Sequence, residues 1–594
     1  MGKVRIALTI SGAVSLGAFE GGALAALIAG VQGTQVHNHD REDPDLRIDA
    51  IGGSSAGAIT AVMAARAVTA GLDPIEMLRG AWVDDVSLPL LLRGAGAHAP
   101  LTMNGLRAKA RDLLDPGSAS ADHQQRSPVR VQLSLCNLRG LEYKIRRLDG
   151  ADRSGRAPGD IRRPLTALTY LDMAPFTIRW NDGVSTLLEP DERSPVDFAL
   201  ASGANEFGFS ARLLSMDRGG YEDRGVENLP MSGVTWYTDG GTLENEPLGR
   251  TFDLTSALDR KPPIGDARRI HLLIHPFPDT VVGSESAAWA DRYRQPAWLR
   301  TLGRALEIIR FQSLYADFKR AEKVNSRIAW RRQLTDALRP LVDNLPAQDE
   351  TRWRAALTDV LDDIDADRDQ LRPPGAPATR PPATGAGSAT RPTVSQLLEQ
   401  VLDQVTGLSG KHPVSIDVVS PFLAEGTEGL SRDELLAGEA FFAFGGFFEE
   451  GLRLSDFALG YVCMLNWMSA GLGGYGLDDD QAEAALAAAL LGFGRLGTWP
   501  SGGKGKGFWD YGLRPDLLRR LAANRLPATS WKPTDFGRTS WYQLLARHPV
   551  LTARLASRVY RVTASDIRLG VFALVGVLAA ALRRRLPRRA RAAG

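Results

Sequence analysis

The sequence predicts an α/β fold: a three-layer α/β/α domain with a mainly parallel sheet, followed by a largely helical C-terminal region. Over residues 1–290, apolar runs of strand length alternate with helix-prone runs, which is typical of a sheet covered by helices on both faces. The first run, Val4–Ile10, is mostly apolar, as expected of a central parallel strand. From residue 296 onwards helical periodicity dominates, and a chain of 594 residues is too long for one compact domain.

Changes in composition divide the chain into five regions. They are an α/β/α domain at 1–290, a helical region at 296–370, a Pro/Ala/Gly-rich linker at 372–393, a mainly helical C-terminal domain at 394–565 and an apolar, then Arg-rich tail at 566–594. A linker of this composition is expected to be flexible and partly extended. Within the C-terminal domain, the β-prone run at 414–419 is expected to rejoin the main sheet.

Composition excludes several classes of protein. Lys plus Arg number 71 and Asp plus Glu number 69, so no chain-wide charge favours nucleic acid as a partner. The hydrophobic fraction of 44% is that of ordinary globular cores. The two cysteines, Cys136 and Cys463, exclude a disulfide framework. A reducing cytoplasm fits this usage, and we expect neither a metal nor a cofactor.

The turn after the first strand is a candidate anion-binding loop. It contains Gly12, Ala13 and Val14 and leads into a helix-prone run. A strand, a glycine-containing turn and a helix start bring backbone N–H groups together in a way that suits an anion. A dinucleotide-binding loop is the competing interpretation, but the turn lacks the G-x-G-x-x-G spacing.

Residues 53–57 read G-x-S-x-G, with Ser55 between Gly53 and Gly57. A strand-like run precedes the motif and a helix-prone run follows it, which is the context of a nucleophile elbow. Glycine is needed at the flanking positions because side chains would clash in so tight a turn. The turn places Ser55 at a helix N-terminus, where the N–H groups and the helix dipole favour the oxyanion of acyl transfer.

Histidine is not the evident base for this serine. The chain has eight histidines, and none follows a strand in the order serine, acid, histidine near the C-terminus. His271 and His275 lie in a buried-strand pattern, and we interpret both as structural.

Asp239 is the candidate base. It precedes Gly240 and Gly241, and Asn245 and Pro247 follow at fixed offsets. An Asp-Gly pair by itself is typical of a simple Asx turn. The two further residues make the segment more specific than a turn.

Together these motifs resemble the patatin-like phospholipase family, in the large bacterial form that carries a C-terminal helical extension. That family pairs a serine in G-x-S-x-G with an aspartate in D-G-[GA], without histidine. The resemblance implies that Ser55 is the nucleophile and Asp239 the base. Residues 135–138 and 201–204 also resemble family segments, and the motifs together cover roughly residues 4–250.

The glycine loop departs from the family pattern, which is usually G-G-G-x-[RK]-G. Two of the glycines are replaced between Gly12 and Gly17, and Leu16 stands where the basic residue is expected. The backbone N–H groups of Gly12, Ala13 and Val14 remain the expected oxyanion hole. The missing positive charge weakens the expectation that an anionic head group is held there.

The resemblance implies a lipid acyl hydrolase of the phospholipase A type that forms an acyl-Ser55 intermediate and acts on phospholipids or other lipid esters at a membrane surface. Two alternatives stay open. One is a serine esterase or acyltransferase that acts on soluble esters. The other is a catalytically inactive, membrane-associated scaffold, which the altered glycine loop favours.

Two apolar segments have two interpretations each. Residues 82–106 mix an apolar run with glycines and form either a lid or channel wall or a plain packed connection. Residues 441–448 are the densest aromatic patch and form either core packing between helices or a surface for an acyl chain.

The C-terminal tail is the expected membrane contact. Residues 569–582 are uncharged and mostly apolar, and arginines follow them. As a helix this run spans about 21 Å, less than the roughly 30 Å of a bilayer core. Shallow insertion with arginines on anionic head groups fits better than a full crossing. A tail anchor and a docked terminal helix are the alternatives, so we expect a cytoplasmic protein that is peripherally membrane-associated or C-terminally anchored.

Overall fold

The structure is a computed structural model. It describes residues 2–36, 43–114, 119–145, 165–188, 193–259, 267–277, 298–370, 392–406, 408, 413–427, 430, 432–496, 514–523 and 541–564.

Nine strands of the described residues form a single sheet. They are β1 (Val4–Ile10), β2 (Leu46–Gly53), β3 (Val129–Ile145), β4 (Leu165–Ile178), β5 (Arg212–Ser215), β6 (Val226–Glu227), β7 (Val234–Asp239), β8 (Arg268–Ile274) and β9 (Ser415–Val419). The order across the sheet is β5-β7-β3-β2-β1-β8-β9, and β4 and β6 also pair with β3. Strands β3, β2, β1, β8 and β9 are parallel to one another, and the remaining strands are antiparallel to their neighbours.

Helices connect and cover these strands. In the first half of the chain they are α1 (Gly17–Gln35), α2 (Ala56–Ala70), α3 (Pro74–Arg79), α4 (Leu88–Leu92), α5 (Asn104–Leu114), α6 (Val184–Leu188), α7 (Pro195–Ser202), α8 (Arg218–Asp223) and α9 (Leu248–Leu258). In the second half they are α10 (Trp298–Val342), α11 (Ala347–Gln370), α12 (Val394–Thr406), α13 (Arg432–Leu435), α14 (Ala440–Ala443), α15 (Glu450–Gly471), α16 (Asp479–Leu496), α17 (Pro515–Ala523), α18 (Trp541–Arg547) and α19 (549–564).

The sheet lies between two helical layers. Helices α1 and α2 pack on one face, in a large apolar core. On the other face, Leu248 and Phe252 of α9 and Leu314 of α10 pack with Leu273 of β8. The predicted three-layer α/β/α fold with a mainly parallel sheet and a helical C-terminal region is therefore confirmed.

The C-terminal region completes the core of the N-terminal region. Strand β9 pairs in parallel with β8, as expected for residues 414–419, and α15 crosses α1 at very close range. A Cβ on Gly22 would lie 1.7 Å from the carbonyl oxygen of Phe457, and one on Gly460 would lie 1.9 Å from that of Phe19. The described residues within 394–565 and those within 1–290 thus contribute to one apolar core.

Within the described residues, one helical segment, Val14–Gln35, is long and apolar enough to cross a membrane, and 94% of its most apolar window is buried inside the protein. Its position between the sheet and α15 makes it a core helix. The predicted membrane tail at 566–594 and, except for its last two residues, the predicted linker at 372–393 lie outside the described residues.

His271 of β8 is one of the buried polar groups of this core. Its ring meets that of Phe252 edge-on, with 4.7 Å between the ring centroids. Burial, with the nearby Arg269 as a second cause, lowers the pKa of His271 from 6.5 to about 3. The imidazole is therefore neutral in the folded protein at neutral pH, as expected of a structural histidine.

This burial predicts acid sensitivity. Between pH 6.5 and about pH 3 the unfolded chain binds a proton that folded His271 does not, so the free energy of unfolding falls as the pH falls through that window. His271→Leu removes this loss. The difference in free energy of unfolding between the variant and the wild type should be about 2 kcal/mol more favourable to the variant at about pH 5 than at about pH 7.5. The measurement is the free energy of unfolding or the shift in Tm at each pH.

His98→Leu, at an exposed histidine, is the matched control and should leave the pH dependence as in the wild type. If the free energy of unfolding of His271→Leu differs from that of the wild type by the same amount at both pH values, the lowered pKa of His271 is contradicted.

Candidate active site

Strand β3 brings the two sequence motifs together. Strand β4 occupies one edge of β3, so β2 and β7 must share the other edge. Strand β2 runs parallel to β3 and ends with Gly53 opposite Leu133, and β7 runs antiparallel and ends with Asp239 opposite Leu135. The C-terminal ends of β2 and β7 therefore face each other across one residue of β3.

Ser55 lies in a strained turn between β2 and α2. Its φ is 53° and its ψ is −123°, a conformation that costs a non-glycine residue free energy and is typical of functional turns. A Cβ on Gly53 would lie 2.5 Å from the carbonyl oxygen of Gly57. One on Gly57 would lie 2.4 Å from the carbonyl oxygens of Ile10 and Ser11. Both motif glycines are therefore required by close backbone contacts.

Ser55 and Asp239 form a hydrogen-bonded pair. The Ser55 hydroxyl donates to Asp239 Oδ2 at 3.2 Å, and Asp239 Oδ1 accepts from the N–H of Gly241 at 2.8 Å. Ser55 is 2% exposed and Asp239 1% exposed. A Cβ on Gly240 would lie 2.1 Å from the carbonyl oxygen of Ser134, so this glycine allows the aspartate loop to lie directly on β3.

Two residues without a role assigned from the sequence support this pair. Asn205 Nδ2 donates to Asp239 Oδ2 at 3.1 Å. The Ser202 hydroxyl accepts the N–H of Ser55 at 2.9 Å and donates to the Ser134 carbonyl at 2.6 Å. Ser202 lies in the segment 201–204, which resembles the family, and Asn205 is the first residue after that segment. This closeness to a family segment is the sequence feature that points to Asn205.

The glycine loop is held by Asn245. The N–H of Gly12 donates to the Asn245 carbonyl at 2.9 Å, and Asn245 Nδ2 donates to the Gly12 carbonyl at 3.1 Å. A Cβ on Gly12 would lie 2.4 Å from Asn245 Oδ1 and 2.8 Å from Ser55 Cβ. Gly12 is therefore needed for close packing against the dyad, but its N–H, expected in the oxyanion hole, is already bonded to another group.

Ala13 and Val14 remain as donors of the expected hole. Their N–H groups have no hydrogen-bond partner among the described residues. Val14 has a left-handed φ of 55° and lines the cavity at Ser55. Leu16, which replaces the expected basic residue, is fully buried, so the loop brings no side-chain charge to the site.

The cavity at Ser55 is apolar and narrow. Its volume is about 30 Å³, and Ile59, Trp82, Val86 and Leu106 line both it and a neighbouring apolar cavity of about 60 Å³. The second cavity extends between α5 and α7 towards Lys109 and Asp85, which form an ion pair at 3.0 Å. The two cavities together form an apolar path that leads away from Ser55.

The apolar segment at 82–106 lines this path. Trp82, Val86, Leu91 and Met103 all contribute to the cavity at Ser55. The structure thus gives the segment the position of a channel wall.

The aromatic segment at 441–448 also reaches the site. Phe447 lines the cavity at Ser55 and is buried in the main core. Its position is therefore compatible both with core packing and with a surface for an acyl chain. The segment also supports the glycine loop, because the Ser15 hydroxyl donates to the Ala443 carbonyl and accepts the N–H of Gly446 at 3.1 Å. Arg453 Nη1 donates to the Gly446 carbonyl at 2.7 Å.

Other reactive groups do not offer an alternative centre in the part of the chain that the structure describes. There, no group of three or more His, Cys, Asp or Glu side chains could hold a metal ion. Cys136 and Cys463 are free and buried. Burial raises the pKa of Cys136 to about 11 and also raises that of Cys463, so both thiols are protonated at neutral pH and are poor nucleophiles.

Comparison with known proteins supports the family resemblance. The family model described as patatin-like phospholipase matches residues 8–251, a range that includes both dyad residues and the glycine loop. No curated protein matches the chain. The family match supports lipid acyl hydrolase activity in general. The resemblance carried by the serine, aspartate and glycine-loop motifs is therefore confirmed over residues 8–251, which match the patatin-like phospholipase family.

Proposed function

We propose that this protein is a serine hydrolase that cleaves acyl esters of phospholipids or related lipids by a Ser55-Asp239 dyad. The observation that carries the proposal is the hydrogen bond from the Ser55 hydroxyl to Asp239 Oδ2 at 3.2 Å, beside an apolar cavity that Ser55 itself lines. The elbow conformation and the family match support the same assignment.

In the proposed first half-reaction, Ser55 Oγ attacks the ester carbonyl while Asp239 Oδ2 accepts the hydroxyl proton. The bond between the carbonyl carbon and the leaving oxygen then breaks. Asp239 returns the proton to that oxygen, and the alcohol product departs. The acyl group remains on Ser55.

In the second half-reaction, a water molecule gives a proton to Asp239 and attacks the acyl-Ser55 carbonyl. The fatty acid leaves and Ser55 regains its proton. A different acceptor alcohol in place of water makes the same intermediate an acyl transfer.

The developing oxyanion would be stabilised by backbone N–H groups. Ala13 and Val14 offer N–H groups that have no partner within the described residues, and Ala56 begins helix α2 directly after the nucleophile. Loss of one such donor typically costs about 3 to 4 kcal/mol of transition-state stabilisation. Gly12 contributes by allowing the loop to lie against Ser55, since its own N–H is bonded to Asn245.

A membrane surface is the proposed place of action, in the cytoplasm. This part of the proposal depends on the sequence of the tail at 566–594. The tail would hold the protein at the membrane by peripheral association or by C-terminal anchoring. An ester of an uncharged, soluble alcohol is the second candidate substrate. The observation that favours it is the buried Leu16 in place of a basic side chain.

Removal of either dyad residue should abolish turnover. We expect Ser55→Ala and Asp239→Asn each to lower kcat by at least about 10⁴-fold, because the first removes the nucleophile and the second the proton acceptor. The measurement is fatty-acid release from mixed bacterial phospholipid vesicles, followed by mass spectrometry.

Ser54→Ala is the matched control. The neighbouring Ser54 is buried and its Oγ has no hydrogen-bond partner among the described residues, so this variant should keep wild-type turnover. Wild-type release by Ser55→Ala would exclude the mechanism. Release of fatty acid from monomeric esters but not from vesicles would favour the soluble-ester candidate.

Asn205→Ala should lower kcat by about 10²-fold and leave KM nearly unchanged. Asn205 holds Asp239 Oδ2 at 3.1 Å, and without it the carboxylate loses the orientation that proton transfer requires. Asn137→Ala is the control, because Asn137 is equally buried but bonds Asp172. It should alter stability more than kcat. Equal losses of kcat in the two variants would show that Asn205 acts only through stability.

Ala110→Trp should shorten the preferred acyl chain. Ala110 lines the second apolar cavity, and an indole there closes the path beyond Leu106. We expect the rate on long-chain esters to fall at least about tenfold while a butyryl ester is hydrolysed as by the wild type. Ala108→Trp, on the exposed face of the same helix, is the control. An unchanged chain-length profile in Ala110→Trp would mean that the acyl chain takes another route.

A further inference from the structure

An open groove runs between helix α19 and the segment that contains α4. Its volume is about 800 Å³. Arg93 and Leu92 line one side, and Arg554, Arg558 and Arg561 line the other. Four guanidinium groups therefore border one groove, away from the dyad.

The arginines of α19 occupy one face of the helix. Their spacing of four and then three residues places Arg554, Arg558 and Arg561 along a single stripe. Arg93 and the first and last of the three are exposed. Like charges at this spacing repel one another by a few tenths of a kcal/mol, so an anion bound between them would reduce this repulsion.

The groove holds no compensating acid in the part of the chain that the structure describes. None of its lining residues is acidic, and no ion pair there includes any of the four arginines. Their hydrogen bonds go to carbonyl groups: Arg558 donates to Ala95, and Arg561 Nε donates to Ser557 at 3.3 Å. Guanidinium groups that have no acidic partner among the described residues favour an anion with several acceptor oxygens, such as a phosphate group.

Apolar side chains accompany this charge. Val550 lines the groove and is 63% exposed, and Pro89, Leu92, Pro549 and Ala553 also line it. Exposed apolar side chains beside arginines are typical of surfaces that rest on lipid head groups. A small soluble anion would leave these side chains in water, which favours a membrane lipid as the source of the phosphate.

Helix α4 is a shared wall between this groove and the dyad cavity. Leu91 lines the cavity at Ser55, whereas Leu92 and Arg93 line the groove. Helix α19 is described as far as residue 564, and the tail whose sequence predicts membrane contact begins at residue 566. The groove is therefore separated from the cavity at Ser55 by one helix, and its own helix α19 precedes the apolar tail in the sequence.

We propose that this groove binds the phosphate of anionic phospholipid head groups at the bilayer surface, through Arg93, Arg554, Arg558 and Arg561. The site supplies the positive charge that the glycine loop lacks. It is independent of acyl transfer at Ser55, so it can be tested whether or not the proposed hydrolysis is observed.

The test uses the full chain and vesicle flotation. The vesicles contain phosphatidylcholine with or without phosphatidylglycerol. The variant combines Arg93→Gln, Arg554→Gln and Arg561→Gln and keeps Arg558, which bonds Ala95. We expect the partition coefficient onto phosphatidylglycerol vesicles to fall about 100-fold, with little change on phosphatidylcholine alone.

A charge-matched control combines Arg327→Gln, Arg332→Gln and Arg352→Gln, at exposed arginines of α10 and α11. It should bind phosphatidylglycerol vesicles as the wild type does. The proposal would be overturned if the groove variant bound as the wild type does, because other parts of the chain would then supply the affinity. An equal loss of binding to phosphatidylglycerol vesicles in the control would also overturn it, because only the net charge would then matter.

Two readouts separate this test from the proposed hydrolysis. The thermal melt of the groove variant should match that of the wild type, which shows that the fold is kept. Its rate on a soluble butyryl ester should also match, since the groove does not contain Ser55. If the wild type hydrolyses no ester at all, the proposed function fails while the vesicle comparison still decides the binding site.

Discussion

Everything in the site depends on how strand β3 shares one of its edges. The edge is occupied first by β2 and then by β7, which approach from opposite directions and end at neighbouring positions. This arrangement requires β3 to be long and β4 to cover its other edge. Ser55 and Asp239, which lie 184 residues apart in the chain, are brought together by backbone pairing before any side chain contributes.

Side chains then refine what the backbone brings together. Ser202 connects the N–H of the nucleophile with the β3 carbonyl beneath it, and Asn205 and the N–H of Gly241 orient the two carboxylate oxygens of Asp239. Asn245 fixes the glycine loop relative to the aspartate loop by two hydrogen bonds with Gly12. The dyad is thus held by neutral donors and acceptors, which restrain its geometry without adding charge to a buried site.

Local patterns predict a large part of this arrangement. Alternating strand and helix runs indicate the fold class, and the glycines around Ser55 and after Asp239 mark tight turns that can be recognised from spacing alone. The strand at 414–419 was likewise visible in its β-prone composition. Each of these features depends on residues close together in the chain, so a single sequence contains the relevant information.

Contacts between distant segments account for what the sequence did not reveal. The N–H of Gly12 was expected in the oxyanion hole, but Asn245, 233 residues away, accepts it. The support of the glycine loop by Ala443 and Gly446 connects segments more than 400 residues apart. The small residues of α1 suggest close packing, yet nothing in their pattern names α15 as the partner.

The crossing of α1 and α15 and the pairing of β1 with β8 have a consequence for where this chain can be cut. The family match ends at residue 251, but a fragment cut near there would lose both α15 and β8, the partners of α1 and β1. The apolar face of α1 would be bare, and the outer edge of the parallel strands would offer unpaired N–H and C=O groups to other chains. We therefore expect the matched segment to depend on the C-terminal region, which covers both of these surfaces.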